Sequence, residues 1–216
     1  MTEPRFASVV LDVDSTLTGI EGIDWLAARR GAETGAKVAE LTDRAMRGEI
    51  PLDAVYGERL AAVSPTRDEI AALATAYQAA LAPGAARAIG RLHDAERRVV
   101  LVSGGVREAI VLLATTLGVA SADVHAVSLT FSPDGAYAGY DAASPLTTSD
   151  GKGFVVAGLA LPRRVLAVGD GATDLAMRPA VDVFAAFTGF VRRATVMAGA
   201  DLTLDTFDQL AELVLG

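Results

Sequence analysis

The sequence predicts an α/β fold: a parallel sheet with helices on both faces, a helical cap inserted after the first strand, and a β-hairpin near the middle of the chain. Three observations carry this expectation. Short apolar runs of the kind that buried parallel strands give recur at residues 6–11, 98–102, 164–168 and 181–186, and from residue 83 onward stretches of helical apolar spacing alternate with them. The long interval from Ile20 to about Ala80 reads almost wholly as helix. One segment has a different texture: residues 127–131 and 136–140 flank the turn Ser132-Pro133-Asp134-Gly135, the pattern of an antiparallel hairpin.

Taken in order, the first strand ends abruptly in Asp12-Val13-Asp14-Ser15-Thr16. Residues two apart in an extended chain point to the same side, so Asp12 and Asp14 face one small volume. Two carboxylates held together repel, and such a pair needs a cation or a shared proton. Residues 21–28, 34–47, 52–63 and 65–81 then carry apolar side chains at helical spacing, with breaks at Gly31, at 48–51 and at Ser64-Pro65-Thr66. Thr66 with Glu69 three residues later is the pattern of a capping box. These four helices define an inserted cap over residues 18–82, leaving 1–17 and 83–216 as the α/β core. In the core, a helix over 84–95 precedes the strand 98–102, which runs into Ser103-Gly104-Gly105, and a helix over 106–117 is stopped by Gly118. After the hairpin come a helix over 152–161, the strand 164–168 leading into Gly169-Asp170-Gly171-Ala172-Thr173-Asp174, and the strand 181–186. A helix over 189–198, a short strand at 202–204 and a helix over 207–215 close the chain.

Composition narrows the function. The 216 residues are 51% hydrophobic and 21% charged, which suits one globular core with an insertion. With no cysteine there is no disulfide, no thiolate zinc site and no cysteine nucleophile. A formal net charge of −8 argues against a general nucleic-acid surface. No apolar run is long enough to span a bilayer and the N-terminus does not resemble a signal peptide, so a cytoplasmic protein without a membrane partner is expected. In so acidic a chain an anionic substrate must be met by local positive charge. Lys37 and Lys152 are the only lysines.

Three strand ends carry polar clusters: Asp12/Asp14/Ser15/Thr16, Ser103/Gly104/Gly105 and Asp170/Thr173/Asp174. Strand ends of one parallel sheet converge on one edge, so these clusters are expected to be neighbours in space. Several carboxylates in one place suit a hard divalent cation, with Mg²⁺ favoured because it takes oxygen ligands and leaves positions for water and phosphate. The Ser103 hydroxyl and the unobstructed backbone N–H groups of Gly104 and Gly105 suit a phosphate, and Lys152 adds a point charge. Singly, these are an ordinary strand-to-helix turn, a helix cap and a solvated lysine. Their recurrence at three strand ends is what those ordinary readings leave unexplained.

With these motifs in this order, the sequence resembles the haloacid-dehalogenase-like phosphatases, whose core is Rossmann-like, and within them the phosphoserine phosphatases. Asp12-Val13-Asp14-Ser15-Thr16 matches the first motif of that superfamily, Ser103 the second, Lys152 the third and Gly169-Asp170-Gly171-Ala172-Thr173-Asp174 the fourth. The resemblance implies that Asp12 is the nucleophile of an aspartyl-phosphate mechanism, and that Asp14 is general acid and then general base. It implies Mg²⁺ held by the carboxylates of Asp12 and Asp170 and the backbone carbonyl of Asp14, with Asp174 in support, and phosphoryl oxygens bound by Ser103 and Lys152. It assigns Glu21 to a substrate ammonium and Arg59 to a substrate carboxylate, and it places Met46, Leu52 and Thr173 around the substrate. Without it, Glu21 and Arg59 would read as exposed helix charges. Leu52 stands where a Phe is often found, and His93 and His125 lie outside every motif. The implied reaction converts O-phosphoserine to serine and phosphate, as in serine biosynthesis. The alternatives are a related phosphatase acting on another small phosphorylated metabolite and a receiver-like signalling domain, against which the helical insertion argues. Oligomeric state is left open, a homodimer included.

Overall fold

The computed structural model describes residues 5–216. Its strands are β1 (Ser8–Leu11), β2 (Arg98–Val106), β3 (Val124–Val127), β4 (Leu129–Phe131), β5 (Tyr137–Tyr140), β6 (Val165–Gly169), β7 (Val183–Phe187) and β8 (Leu202–Leu204). Six of them form one sheet in the order β3-β2-β1-β6-β7-β8, every pair parallel, while β4 and β5 form a separate antiparallel hairpin. With the hairpin set aside this is the order of a Rossmann-like doubly wound sheet. The chain first moves outward from β1 in one direction and then returns to start on its other side. That reversal opens a crevice at the carboxyl ends of the strands beside β1. The central strands are apolar because both their faces are covered: every residue of β1 and β6 is buried.

The helices are α1 (Gly22–Ala27), α2 (Ala32–Met46), α3 (Tyr56–Val63), α4 (Arg67–Ala79), α5 (Ala85–Asp94), α6 (Arg107–Thr116), α7 (Gly151–Gly158), α8 (Ala172–Leu175), α9 (Ala194–Gly199) and α10 (Phe207–Leu215). The first four lie between β1 and β2, as the apolar spacing predicts. Thr66 caps α4 as expected: its hydroxyl accepts from the Glu69 amide at 3.3 Å, and its own amide donates to the Glu69 carboxylate at 2.8 Å. The chain leaves and re-enters the core along two neighbouring segments joined backbone to backbone. The Gly19 amide donates to the Ala80 carbonyl at 2.8 Å, and the Ala82 amide to the Leu17 carbonyl at 2.9 Å. In the core, α5 buries Ala85, Ala88, Ile89 and Leu92, one stripe at helical spacing, and packs beside α10. No described helix is long and apolar enough to cross a membrane.

Three elements differ from the sequence reading. Val127 ends β3, a sixth parallel strand, and the hairpin begins only at Leu129. β3 escapes notice because it is a sheet-edge strand of only four residues containing His125; pairing with β2, Leu101 opposite Val124 and Val106 opposite Val127, defines it. β2 does not stop at Val102 but continues through a bulge to Val106, so Ser103 sits on the irregular part of a strand. The helix predicted over 189–198 shrinks to Ala194–Gly199, and residues 189–193 form a loop whose Arg192 and Arg193 side chains are tied to Asp205 and Asp170.

Lys152 reaches the crevice because α7 lies directly against neighbouring backbone. A Cβ at Gly153 would sit 2.2 Å from the Ala176 carbonyl oxygen, and one at Gly151 1.7 Å from that of Pro145. Gly153→Ala should therefore lower stability by roughly 1–3 kcal/mol, the usual cost of overpacking. Urea denaturation measures this, and an unchanged midpoint would rule out the close packing.

Candidate active site

β1 and β6 are neighbours with Leu11 opposite Val168, so Asp12 and Asp170 emerge side by side at their carboxyl ends. Asp174, in the short helix that follows β6, turns back over the same spot, where one of its oxygens accepts the amides of Asp170 (3.1 Å) and Gly171 (2.8 Å). Carboxylate oxygens of Asp12, Asp170 and Asp174 lie within 4.8 Å of one another, and all three residues are buried. Lys152 bridges two of them, with its Nζ 2.5 Å from Asp12 Oδ1 and 2.5 Å from Asp174 Oδ1. Arg193 pairs with Asp170 Oδ2, and the Thr16 hydroxyl donates to Asp170 Oδ1 at 3.0 Å.

Desolvation pushes Asp12 well above its ordinary pKa and the Asp174 charge adds to it, while Lys152 opposes both. Burial by itself would pull Lys152 down, but the two carboxylates outweigh it and hold the ammonium firmly charged. Three buried oxygen donors whose charge is costly without a counter-cation fit a hard divalent metal ion. The Asp14 carboxylate is not part of this trio. The chain turns sharply after it, with Ser15 at φ +55°, and Asp14 Oδ1 accepts from the Gly22 amide at 2.8 Å and the Tyr77 hydroxyl at 2.7 Å. Its other oxygen lies 3.4 Å from Ser103 Oγ, which itself accepts from the Gly105 amide at 2.9 Å. Desolvation raises the Asp14 pKa, and the bonds from Tyr77 and Gly22 work against that rise.

One cavity is lined by Asp12, Asp14, Glu21, Met46, Arg59, Ser103, Gly104, Lys152 and Thr173, with Leu52 among the remaining wall residues. Asp170 and Asp174 do not line it but have oxygens within 4.8 Å of Asp12, which does. Glu21 precedes α1 and accepts the Ser15 hydroxyl at 2.7 Å. Burial, with Asp14 and Asp24 adding, raises its pKa to about 7. Arg59 is not the exposed helix charge that its sequence context alone suggests: it is 4% exposed. It makes one long contact, 3.4 Å to Asp24, and its Nε has no partner. Met46 closes the opposite side, its sulfur 3.8 Å from the Thr173 hydroxyl.

The sequence reading missed several participants. Asp24 orients Arg59, Tyr56 donates to the Gly104 carbonyl at 2.8 Å, and Tyr77 and Arg193 hold Asp14 and Asp170. Asp24, three residues after Glu21 and so on the same helical face, carried a usable signal. Tyr77 falls on the apolar stripe of α4 with Ile70, Leu73 and Ala74, and so reads as core. His93 and His125 lie away from the site, in α5 and β3.

The sequence model of the haloacid dehalogenase-like hydrolases matches residues 6–182. The phosphoserine phosphatase of Rattus norvegicus is 37% identical over 206 residues, covering 94% of this chain and 91% of its own length. The chloroplastic phosphoserine phosphatase of Arabidopsis thaliana is 34% identical over 208 residues, 94% of this chain and 70% of its own. A phosphoserine phosphohydrolase-like protein from Francisella tularensis shares the fold with a TM-score of 0.87 at 23% identity, over 96% of this chain and 99% of its own.

A divalent cation seated on the three buried carboxylates should stabilise the folded state by mass action, by about 2.7 kcal/mol at a hundredfold excess over Kd. Thermal melts of chelator-treated protein should therefore shift upward when the metal is restored, and Asp170→Asn should remove the shift. Identical melting curves with and without metal would overturn this.

Proposed function

Since the chain belongs to the haloacid dehalogenase-like hydrolase family, we propose that it hydrolyses O-phosphoserine to serine and phosphate through an aspartyl-phosphate intermediate, with residues 18–82 acting as the cap over the site. The observation that carries this is one cavity presenting a nucleophile-and-acid pair, Asp12 and Asp14, beside a phosphate-binding set, Ser103, Gly104 and Lys152, and a zwitterion-binding pair, Glu21 and Arg59. Relatives at more than a third identity bear the name phosphoserine phosphatase.

An Asp12 oxygen attacks phosphorus as the ester P–O bond breaks, and the bonding pair leaves with the serine oxygen, which takes a proton from Asp14. Water then attacks the phosphorus of phosphorylated Asp12, Asp14 accepts its proton, the bond between phosphorus and the Asp12 oxygen breaks, and inorganic phosphate departs with Asp12 restored. The Lys152 contact opposes the upward shift that burial and Asp174 impose on Asp12, and so favours the ionised, nucleophilic form. An ammonium has three N–H donors; two go to Asp12 and Asp174, and the third remains for a phosphoryl oxygen. The Ser103 hydroxyl and the backbone at Gly104 supply further donors to that group. Mg²⁺ is the cation we assign to Asp12 and Asp170, with the Asp14 carbonyl and Asp174 in support; when bound, it offsets the charge of the phosphate facing an anionic nucleophile. At the other end of the cavity, Arg59 spends little of its donor capacity on Asp24 and has it free for a carboxylate. A sugar phosphate offers neither a carboxylate to Arg59 nor an ammonium to Glu21.

Asp12→Asn should abolish turnover and phosphoenzyme formation while the melting profile stays cooperative; normal turnover by this variant would rule out the covalent route. Arg59→Ala should lose about 2–5 kcal/mol of discrimination, roughly thirtyfold to several thousandfold in kcat/KM for phosphoserine. Phosphoethanolamine, which lacks the carboxylate, should be affected far less, and equal losses on the two would sink the assignment.

Glu21 adds a pH dependence. With its pKa raised to about 7, it is protonated and neutral below that pH and ionised above it. Attraction for the substrate ammonium is therefore lost as pH falls through about 7. KM for phosphoserine should rise on acidification more steeply than KM for 3-phosphoglycerate, which has no amine, and Glu21→Gln should make the two profiles parallel. Parallel profiles in the unaltered protein would contradict the ammonium role.

A further inference from the structure

Asp14 has two carboxylate oxygens in unlike surroundings, and a residue outside the cavity wall makes them so. Oδ1 accepts two donors, the Tyr77 hydroxyl at 2.7 Å and the Gly22 amide at 2.8 Å. Oδ2 has only Ser103 Oγ, at 3.4 Å, and Ser103, which belongs to the phosphate-binding set proposed above, lines the cavity. We propose that Tyr77 is a positioning residue for Asp14: by occupying Oδ1 it confines the transferable proton to Oδ2, the oxygen that faces the leaving group. The assignment rests on the acid role given to Asp14 above.

The chemistry is that of a carboxylic acid between two fixed donors. A proton placed on Oδ1 would point into the Gly22 N–H, which cannot turn away, and would cost the hydrogen bond that Tyr77 donates, whereas at Oδ2 only the rotatable Ser103 hydroxyl has to yield. The hydroxyl has no packing reason to be there. Tyr77 is fully buried on the stripe formed by Ile70, Leu73 and Ala74, where a phenylalanine ring would fill the same space. Residue 22 leaves room for it: a Cβ on Gly22 would lie 2.0 Å from the Tyr77 oxygen. Tyr77 does not line the cavity, so it acts on the reaction only through Asp14. It also comes from α4, the last of the four helices within residues 18–82, so that an acid on the core is aligned by the inserted segment.

Tyr77→Phe isolates the hydroxyl, because the ring that fills the core is retained. The readout is kcat/KM, which reports steps up to departure of the leaving group, for phosphoserine and for p-nitrophenyl phosphate. Serine leaves as a basic alkoxide and needs a well-aimed proton; p-nitrophenolate leaves without one. General acid catalysis contributes ~10²–10⁴-fold, and a misdirected proton forfeits part of it. The expected result is a loss of roughly tenfold to a hundredfold on phosphoserine against less than about threefold on p-nitrophenyl phosphate, with KM for phosphoserine within about twofold. Equal losses on both esters, or no loss on either, would overturn the assignment even though the unaltered protein is an active phosphatase. No phosphate release by the unaltered protein from either ester, with Mg²⁺ present, would instead overturn the reading of the site on which this one rests.

Discussion

Desolvated carboxylates crowded at one edge of a sheet are costly, and the architecture around this crevice follows from meeting that cost. Asp12, Asp170 and Asp174 are buried with oxygens within 4.8 Å of one another, and Asp14 and Glu21 stand partly buried beside them. At an effective dielectric of about 20, each ionised pair at such a distance repels by roughly 3–4 kcal/mol. Lys152 and Arg193 supply buried compensating charge, and the three carboxylates fit a divalent cation that would offset the remainder. Lys152 can do this only because α7 is drawn tight against the backbone at Pro145 and Ala176, which carries its side chain into the crevice. The same electrostatics separates the aspartates into roles. Asp12 touches an ammonium that opposes the rise its burial imposes. Asp14 has no such contact and takes its hydrogen bonds from neutral donors, the surroundings that the proposed acid and base role calls for.

Much of this was legible in the sequence because the chemistry sits at strand ends, and parallel strands bring their ends together whatever lies between them. Asp12, Ser103 and Asp170 are separated by long stretches of chain, yet β2, β1 and β6 are consecutive in the sheet. What escaped notice has physical causes. Arg193 comes from a loop beyond β7 and reaches Asp170 only through the packing of that loop, which no periodicity encodes. Tyr77 looked like core because it is core: a single hydroxyl on an apolar stripe changes neither spacing nor hydrophobicity. β3 is a short edge strand whose identity comes from its partner. Arg59 shows the reverse case, a charge that local context places on the surface and that tertiary packing buries because Asp24 is there to receive it.

The paired backbone bonds between residues 17–19 and 80–82 have a mechanical consequence. Two free tethers would let the helical segment swing in any direction, but two segments zipped together, Gly19 to Ala80 and Ala82 to Leu17, would confine any swing to one axis. Points close to a hinge move through short arcs and points far from it through long ones. Gly22 and Tyr77 are each three residues from that ladder along the chain, while Met46 and Arg59 lie deep in the segment between them. Any swing would therefore carry Met46 through a longer arc than Gly22 and Tyr77, so the two bonds that Asp14 accepts from them are the last to be disturbed.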